Sequence, residues 1–317
     1  MNWMVVQRIL GILLMAFSLT MIPPIFVSYL YQEPSWVAFL QGFFLTLIAG
    51  SMLWIPSRRS KNDLRLRDGF IIVAAFWTVL GLFGAVPLYL AEIPSLSLTN
   101  AIFESISGLT TTGATILTGL DTLPKTILYY RQQLQWLGGM GIIVLAVAVL
   151  PMLGVGGMQL YRAETPGPVK DNKLTPRIKQ TAKALWYVYT AFTILCGLSY
   201  WLAGMSVFDA ICHAFSTVAI GGFSTHDLSI GYFNSSTIDL IAIFFMFAAG
   251  INFSLHFLSW RNLNLSHYKN DHEFRAYLFL LIVISIIVIL SLFIFNSYNN
   301  TSDTIIKGLF QAVSIAT

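Results

Sequence analysis

Apolar residues in this chain gather into seven long runs, at about 5–30, 36–57, 69–92, 126–153, 184–205, 236–259 and 276–296. Polar residues crowd the connections between them. A membrane-crossing helix takes roughly 20 apolar residues, and each run is long enough. Between the third and fourth runs lies a shorter apolar stretch that ends in small residues. It reads Asn100-Ala-Ile-Phe-Glu-Ser-Ile-Ser-Gly-Leu-Thr-Thr-Thr-Gly-Ala114. A second copy follows 109 positions later, between the fifth and sixth runs, as Asp209-Ala-Ile-Cys-His-Ala-Phe-Ser-Thr-Val-Ala-Ile-Gly-Gly-Phe223. A third stands in register 207 positions after the first, Gly308-Leu-Phe-Gln-Ala-Val-Ser-Ile-Ala-Thr317.

The pattern predicts a repeated unit of membrane helix, half-helix, glycine-bearing loop and membrane helix. Thr99 or Asn100 is the expected cap of the first half-helix and Asp209 of the second, with Asp303 preceding the third. Gly113 and Gly222 supply the conformational freedom that the loop needs. Non-helical backbone at membrane depth persists only where protein buries it or where it lines a water-filled cavity. A loop that recurs at one topological position therefore points to an aqueous pathway. Its carbonyls would replace the hydration shell of a cation. The half-helix would turn its negative dipole end toward that cation. A single glycine turn after an apolar stretch also occurs in ordinary loops, so the weight rests on the repetition.

Composition agrees. The chain is 56% hydrophobic and 10% charged, where a soluble domain carries about 25% charged residues. Fourteen of the 18 Lys and Arg residues fall in the connections at 58–67, 162–183 and 261–275. The positive-inside bias places these loops, and an N-terminus carrying Arg8, in the cytoplasm. The run at 5–30 reads as a retained helix, since no small-residue cleavage site follows Pro23-Pro24. The opposite side holds Lys125, Arg131 and Lys307 against Glu33, Glu92, Glu104, Asp121, Asp209, Asp227, Asp239 and Asp303. That imbalance would gather cations, or it reflects only the depletion of basic residues outside.

Glu104, His213 and Gln311 share one position, midway along each half-helix. Ionisable groups at membrane depth are costly and default to functional candidates. They are expected to brace the loop from behind, the alternative being that they reach the outer interface. Gly138, Gly139 and Gly141, with Gly250 in the second unit, favour close helix packing over a gating hinge. Asn252 and His256 would face pore water or bond to neighbouring helices. Cys196 and Cys212 offer no disulfide framework or metal spacing. No H-E-x-x-H pattern, nucleophile elbow, phosphate loop or dinucleotide fingerprint is present, which argues against an enzyme. The basic residues are distributed as membrane loops are, which argues against nucleic acid.

Five segments together resemble one family. They are Gly108-Leu-Thr-Thr-Thr-Gly-Ala-Thr115, Trp136-Leu-Gly-Gly-Met-Gly141, Ala219-Ile-Gly-Gly-Phe-Ser224, Ala249-Gly-Ile-Asn-Phe253 and the cytoplasmic Arg162-Ala-Glu-Thr-Pro-Gly-Pro168. The chain is similar over its length to the membrane subunits of the Trk/Ktr/HKT potassium transporters, nearest their bacterial Trk branch. The resemblance implies an all-α membrane protein in which repeats like those of a potassium channel surround one ion path. It implies a two-helix extension at 1–67, a first repeat at 68–168, a second at 169–270 and an incomplete third at 271–317. The fourth repeat is not in this sequence.

Carried over residue by residue, Thr110, Thr111, Thr112 and Gly113 would form the first filter strand. Ala219, Ile220, Gly221 and Gly222 would form the second. The backbone carbonyls of Thr111, Thr112, Ile220 and Gly221 are the expected potassium ligands. The resemblance further implies potassium uptake through the bacterial inner membrane, a homodimer, and a cytoplasmic nucleotide-binding regulatory subunit of the TrkA type facing the basic loops. A sodium/potassium-conducting variant and a non-conducting truncated fragment that only binds partner subunits are the alternatives.

Overall fold

The computed structural model describes residues 3–59, 66–153 and 178–317. Among them every regular element is a helix. Five helices are long and apolar enough to cross a membrane, or six if one sharply bent pair counts as a single span. The chain divides into two compact units, Met1–Lys183 and Ala184–Thr317.

In the first unit, α1 (Trp3–Ser18) and α2 (Ile22–Tyr31) are joined by a single 3-10 turn, Leu19–Met21. The joint falls just before Pro23-Pro24. Proline lacks the backbone N–H that a continuing helix needs, yet fits a helix's first turn. α1 lies against α3 (Trp36–Ser57), where Gly11 and Gly50 face each other. A Cβ on either would lie 2.7–2.8 Å from the other's carbonyl oxygen, so the two helices touch backbone to backbone.

α4 (Leu66–Leu90) carries the half-helix α5 (Leu98–Leu109). Ser105 donates to the Gly81 carbonyl at 2.8 Å, tying the half-helix to α4. α6 (Lys125–Leu153) follows the loop. Its Tyr130 donates to the Gly84 carbonyl at 3.0 Å. Tyr130 belongs to one buried apolar core with Ile9, Phe17, Phe76, Leu80, Ala101 and Leu134, which joins α1, α4, α5 and α6.

The second unit repeats this order. It contains most of α7 (Ile178–Leu202), the half-helix α8 (Val207–Ala219), α9 (Ser236–Ala249) and α10 (Phe253–Asn262). A short α11 (Ser266–Asn270) leads to α12 (His272–Ile294) and α13 (Thr301–Ala316). Lys307 of α13 pairs with the buried Asp239 of α9 at 2.7 Å.

Two expected crossings are not straight. α6 bends at Gly141, whose φ 46 and ψ −149 suit glycine alone. The run at 236–259 breaks by 91° between α9 and α10. The break starts at Gly250, which lies 109 positions after Gly141. The carbonyls released there are taken up by side chains: Ala248 O by His256 Nε2 at 2.8 Å and Phe247 O by the Tyr277 hydroxyl at 3.2 Å. His256 also bonds the Tyr268 hydroxyl at 2.7 Å, and Asn252 caps α10 through the Ser254 N–H at 3.0 Å. His256 thus bonds to neighbouring groups, whereas Asn252 is exposed and caps its own helix. The close packing expected of the glycines is found at Gly138 and Gly250. A Cβ on Gly138 would collide with the Leu109 carbonyl, and one on Gly250 with the Tyr277 phenol. The segment 162–168 and most of the first two basic loops lie outside the described residues.

Candidate cation-pathway loops

The two half-helices begin one turn earlier than expected. Ser97, in extended conformation, caps α5 by accepting from the Asn100 N–H at 3.2 Å. Ser206 caps α8 by accepting from the Asp209 N–H at 3.1 Å. The third, α13, is capped by Asn300 through the Ser302 N–H at 3.2 Å. Thr99, Asn100, Asp209 and Asp303 are therefore not the caps. They are polar residues of the first helical turn, where an acidic side chain meets the positive dipole end.

Each half-helix stops in the same way. Thr112 N–H bonds Ser107 O at 2.9 Å, and Gly221 N–H bonds Ser216 O at 2.8 Å. These bonds span the C-terminal turn as a Schellman motif does. The residue inside each turn is left-handed, with φ 54 at Thr111 and φ 53 at Ile220. Gly113 (φ 75) and Gly222 (φ 81), two positions later, are left-handed as expected; the left-handed Thr111 and Ile220 are additional. Left-handed backbone costs a β-branched residue on the order of 1–3 kcal/mol, so the surroundings must hold it. Thr110 and Thr112 hydroxyls meet at 2.7 Å, and Ser107 donates to the Ala114 carbonyl at 2.5 Å, closing the first loop on its own helix.

What holds each loop from behind is the mid-helix group. Glu104 is fully buried. Its carboxylate accepts from the Thr115 hydroxyl at 2.8 Å and from Ile116 N–H at 3.2 Å. Arg131 of α6, also fully buried, donates from Nε to Glu104 at 2.6 Å and from its terminal nitrogen to Thr115 Oγ1 at 3.0 Å. The Thr115 oxygen takes one further bond, from Leu117 N–H at 3.1 Å.

In the second unit His213 Nε2 meets Ser224 Oγ at 2.9 Å, and Ser224 accepts from His226 N–H at 3.0 Å. His213 Nδ1 faces the Asp209 carbonyl at 2.9 Å. A carbonyl only accepts, so Nδ1 carries the proton and, in the neutral ring, Nε2 accepts from the serine. Ser224 lies 109 positions after Thr115, and His226 as far after Leu117. The bracing expected of Glu104 and His213 is present in both loops. Gln311, the third member, is exposed.

Sequence reasoning missed Arg131 as a partner and counted it among outer charges. The acidic surface also shrinks. Glu33 accepts from Lys125 N–H at 2.7 Å and Thr126 N–H at 2.9 Å, capping α6. Asp209 binds the Ser206 hydroxyl at 2.7 Å and the Thr225 hydroxyl at 2.8 Å. Burial pushes its carboxyl up, but those hydrogen bonds and the neighbouring His226 and His213 outweigh this and hold it below its usual value. Asp239 pairs with Lys307 and Glu104 with Arg131. Glu92, Asp121 and Asp227 remain exposed.

A family model described as TrkH, cation transport protein, matches residues 36–317. The Trk system potassium uptake protein TrkH of Halomonas elongata is 56% identical over 317 residues, covering 100% of this chain and 66% of that protein. TrkG of Escherichia coli K12, also named as a Trk system potassium uptake protein, is 42% identical over 314 residues, covering 99% and 64%. The crystal structure of the potassium transporter TrkH from Vibrio parahaemolyticus superposes with a TM-score of 0.87 at 50% identity, over 99% of this chain and 64% of that one. The chain thus spans 66% of the length of the Halomonas relative. Its helices and these likenesses make it a multi-pass membrane protein, and the chain belongs to the TrkH family of cation transport proteins.

Proposed function

We propose that this chain supplies part of the pore of a potassium uptake system. Backbone carbonyls of Thr111 and Thr112 in the first loop, and of Ile220 and Gly221 in the second, bind the dehydrated ion. Thr110, Gly113, Ala219 and Gly222 flank them. The observation that carries this reading is the shared backbone: a half-helix stop, a left-handed residue and a left-handed glycine two positions on, at one offset in both units. Turns that strained are kept where function needs them. Potassium is the cargo named for the relatives TrkH and TrkG.

The reading extends to an inner-membrane location with a cytoplasmic N-terminus, argued from the basic loops. The membrane potential then drives uptake at about 2.3 kcal/mol per charge per 100 mV. Residues 68–168 and 169–270 act as the first and second pore repeats, 1–67 as an added helix pair and 271–317 as part of a third. A homodimer and a nucleotide-binding regulatory subunit on the cytoplasmic side complete the system.

The test is cation flux in vesicles carrying the whole protein. Gly113→Ala forces a side chain onto left-handed backbone, at about 1–2 kcal/mol. Potassium flux relative to sodium is expected to fall roughly tenfold, and an unchanged ratio would count against the filter assignment.

A further inference from the structure

The two loops are braced by the same framework with different chemistry. A mid-helix group (Glu104 or His213) holds a hydroxyl 11 positions on (Thr115 or Ser224), and that hydroxyl accepts the N–H two residues later. The first loop has one extra member, Arg131. At the same 109-residue offset the second unit has Leu240, which is 49% exposed. The difference follows from charge. A carboxylate fully buried at membrane depth is prohibitively costly without a counter-ion, whereas a neutral imidazole needs none.

We infer that Arg131 is the positioning residue of the first loop: through Glu104 and Thr115 it fixes the backbone after Gly113 and so sets cation selectivity. The inference rests on the transport reading above. Arg131 does not touch the proposed ion site, so it acts through the groups it orients. Its guanidinium reaches both Glu104 and Thr115, a two-pronged grip that a point charge such as lysine cannot reproduce. A buried ion pair is poor evidence for stability as such, because desolvation offsets much of the attraction. Holding one geometry is the better account of why it is present.

The closing experiment converts the first brace into the second. Vesicles carrying the whole protein are assayed for radiolabelled rubidium uptake and for its competition by sodium. Arg131→Leu strands the Glu104 carboxylate, and selectivity is expected to fall on the order of tenfold, the scale of a lost charge-assisted hydrogen bond. Arg131→Leu with Glu104→His removes both charges and copies the second unit; it is expected to recover most of the ratio. Arg131→Lys should be intermediate, and it carries the test if Arg131→Leu does not reach the membrane. Wild-type selectivity in Arg131→Leu or Arg131→Lys would overturn the inference, as would a double variant no better than Arg131→Leu. No selective uptake by the unsubstituted protein would instead overturn the transport reading.

Discussion

The first and second loops reach one backbone path by unlike means. In the first, a buried carboxylate and a buried guanidinium close a ring with a threonine hydroxyl at the loop's exposed side. In the second, an uncharged imidazole spans from the Asp209 carbonyl to the Ser224 hydroxyl, with its ring edge-on to Phe233. The left-handed residues at 111 and 220, the glycines at 113 and 222 and the hydroxyls at 115 and 224 are common to both. The bracing charge is not. The geometry of the loop is therefore the shared requirement, and the means of holding it is free to vary.

This comparison breaks most visibly at the bracing residues. Glu104→Ala leaves the Arg131 guanidinium buried without its counter-ion, a loss of about 3–5 kcal/mol. His213→Ala leaves only a serine hydroxyl and a carbonyl short of a partner, about 1–3 kcal/mol. Thermal unfolding of the purified protein in detergent should rank Glu104→Ala well below His213→Ala. Equal losses would mean that the ion pair matters no more to its loop than the neutral bridge does.

The ranking turns on a residue that the sequence does not expose. The half-helices, the turns and the mid-helix braces were legible because they recur. Repetition at a fixed offset marked Glu104 with His213 and Gly113 with Gly222. Arg131 has no counterpart in the second unit, so comparison of copies passes over it. The available signal was chemical: a Glu in a buried repeat position demands a cation, and Arg131 sits in the helix that follows. The caps were misplaced for another reason. Ser97 and Ser206 precede residues that are good caps themselves, and only backbone conformation decides among neighbouring candidates. The helix breaks at Gly141 and Gly250 were hidden because a long apolar run looks alike whether straight or bent. Left-handed Thr111 and Ile220 run against local preference altogether, and sequence reasoning is expected to fail at strained positions of this kind.

A smaller effect separates the helices behind the loops. Gly138 lets α6 pass directly beneath the Leu109 carbonyl, with Thr111 Cγ2 at 3.2 Å from where a Cβ would stand. At the equivalent offset the second unit has Phe247, whose carbonyl receives the Tyr277 hydroxyl. Gly138→Ala is expected to cost about 1–3 kcal/mol by overpacking and to displace the Thr111 turn. The checks are the melting temperature and the potassium-to-sodium flux ratio, both of which should fall. A drop in stability with an unchanged ratio would confine Gly138 to helix packing.

The smallest difference lies at the half-helix starts. Ser97 accepts one backbone N–H, so Ser97→Ala should lower stability by about 1 kcal/mol, the usual worth of a cap. Ser206 makes the same bond and also donates to the Asp209 carboxylate, whose other oxygen holds Thr225. Removing its hydroxyl takes away a cap and one of the two hydroxyl groups that keep that carboxylate ionised. Ser206→Ala should therefore cost more than Ser97→Ala, by a further ~1 kcal/mol, because a hydrogen bond to a charged group exceeds a neutral one. Paired melting curves of the two variants test this. If the two losses were equal, the Asp209 network would add nothing to the cap, and the second loop would depend on His213 alone.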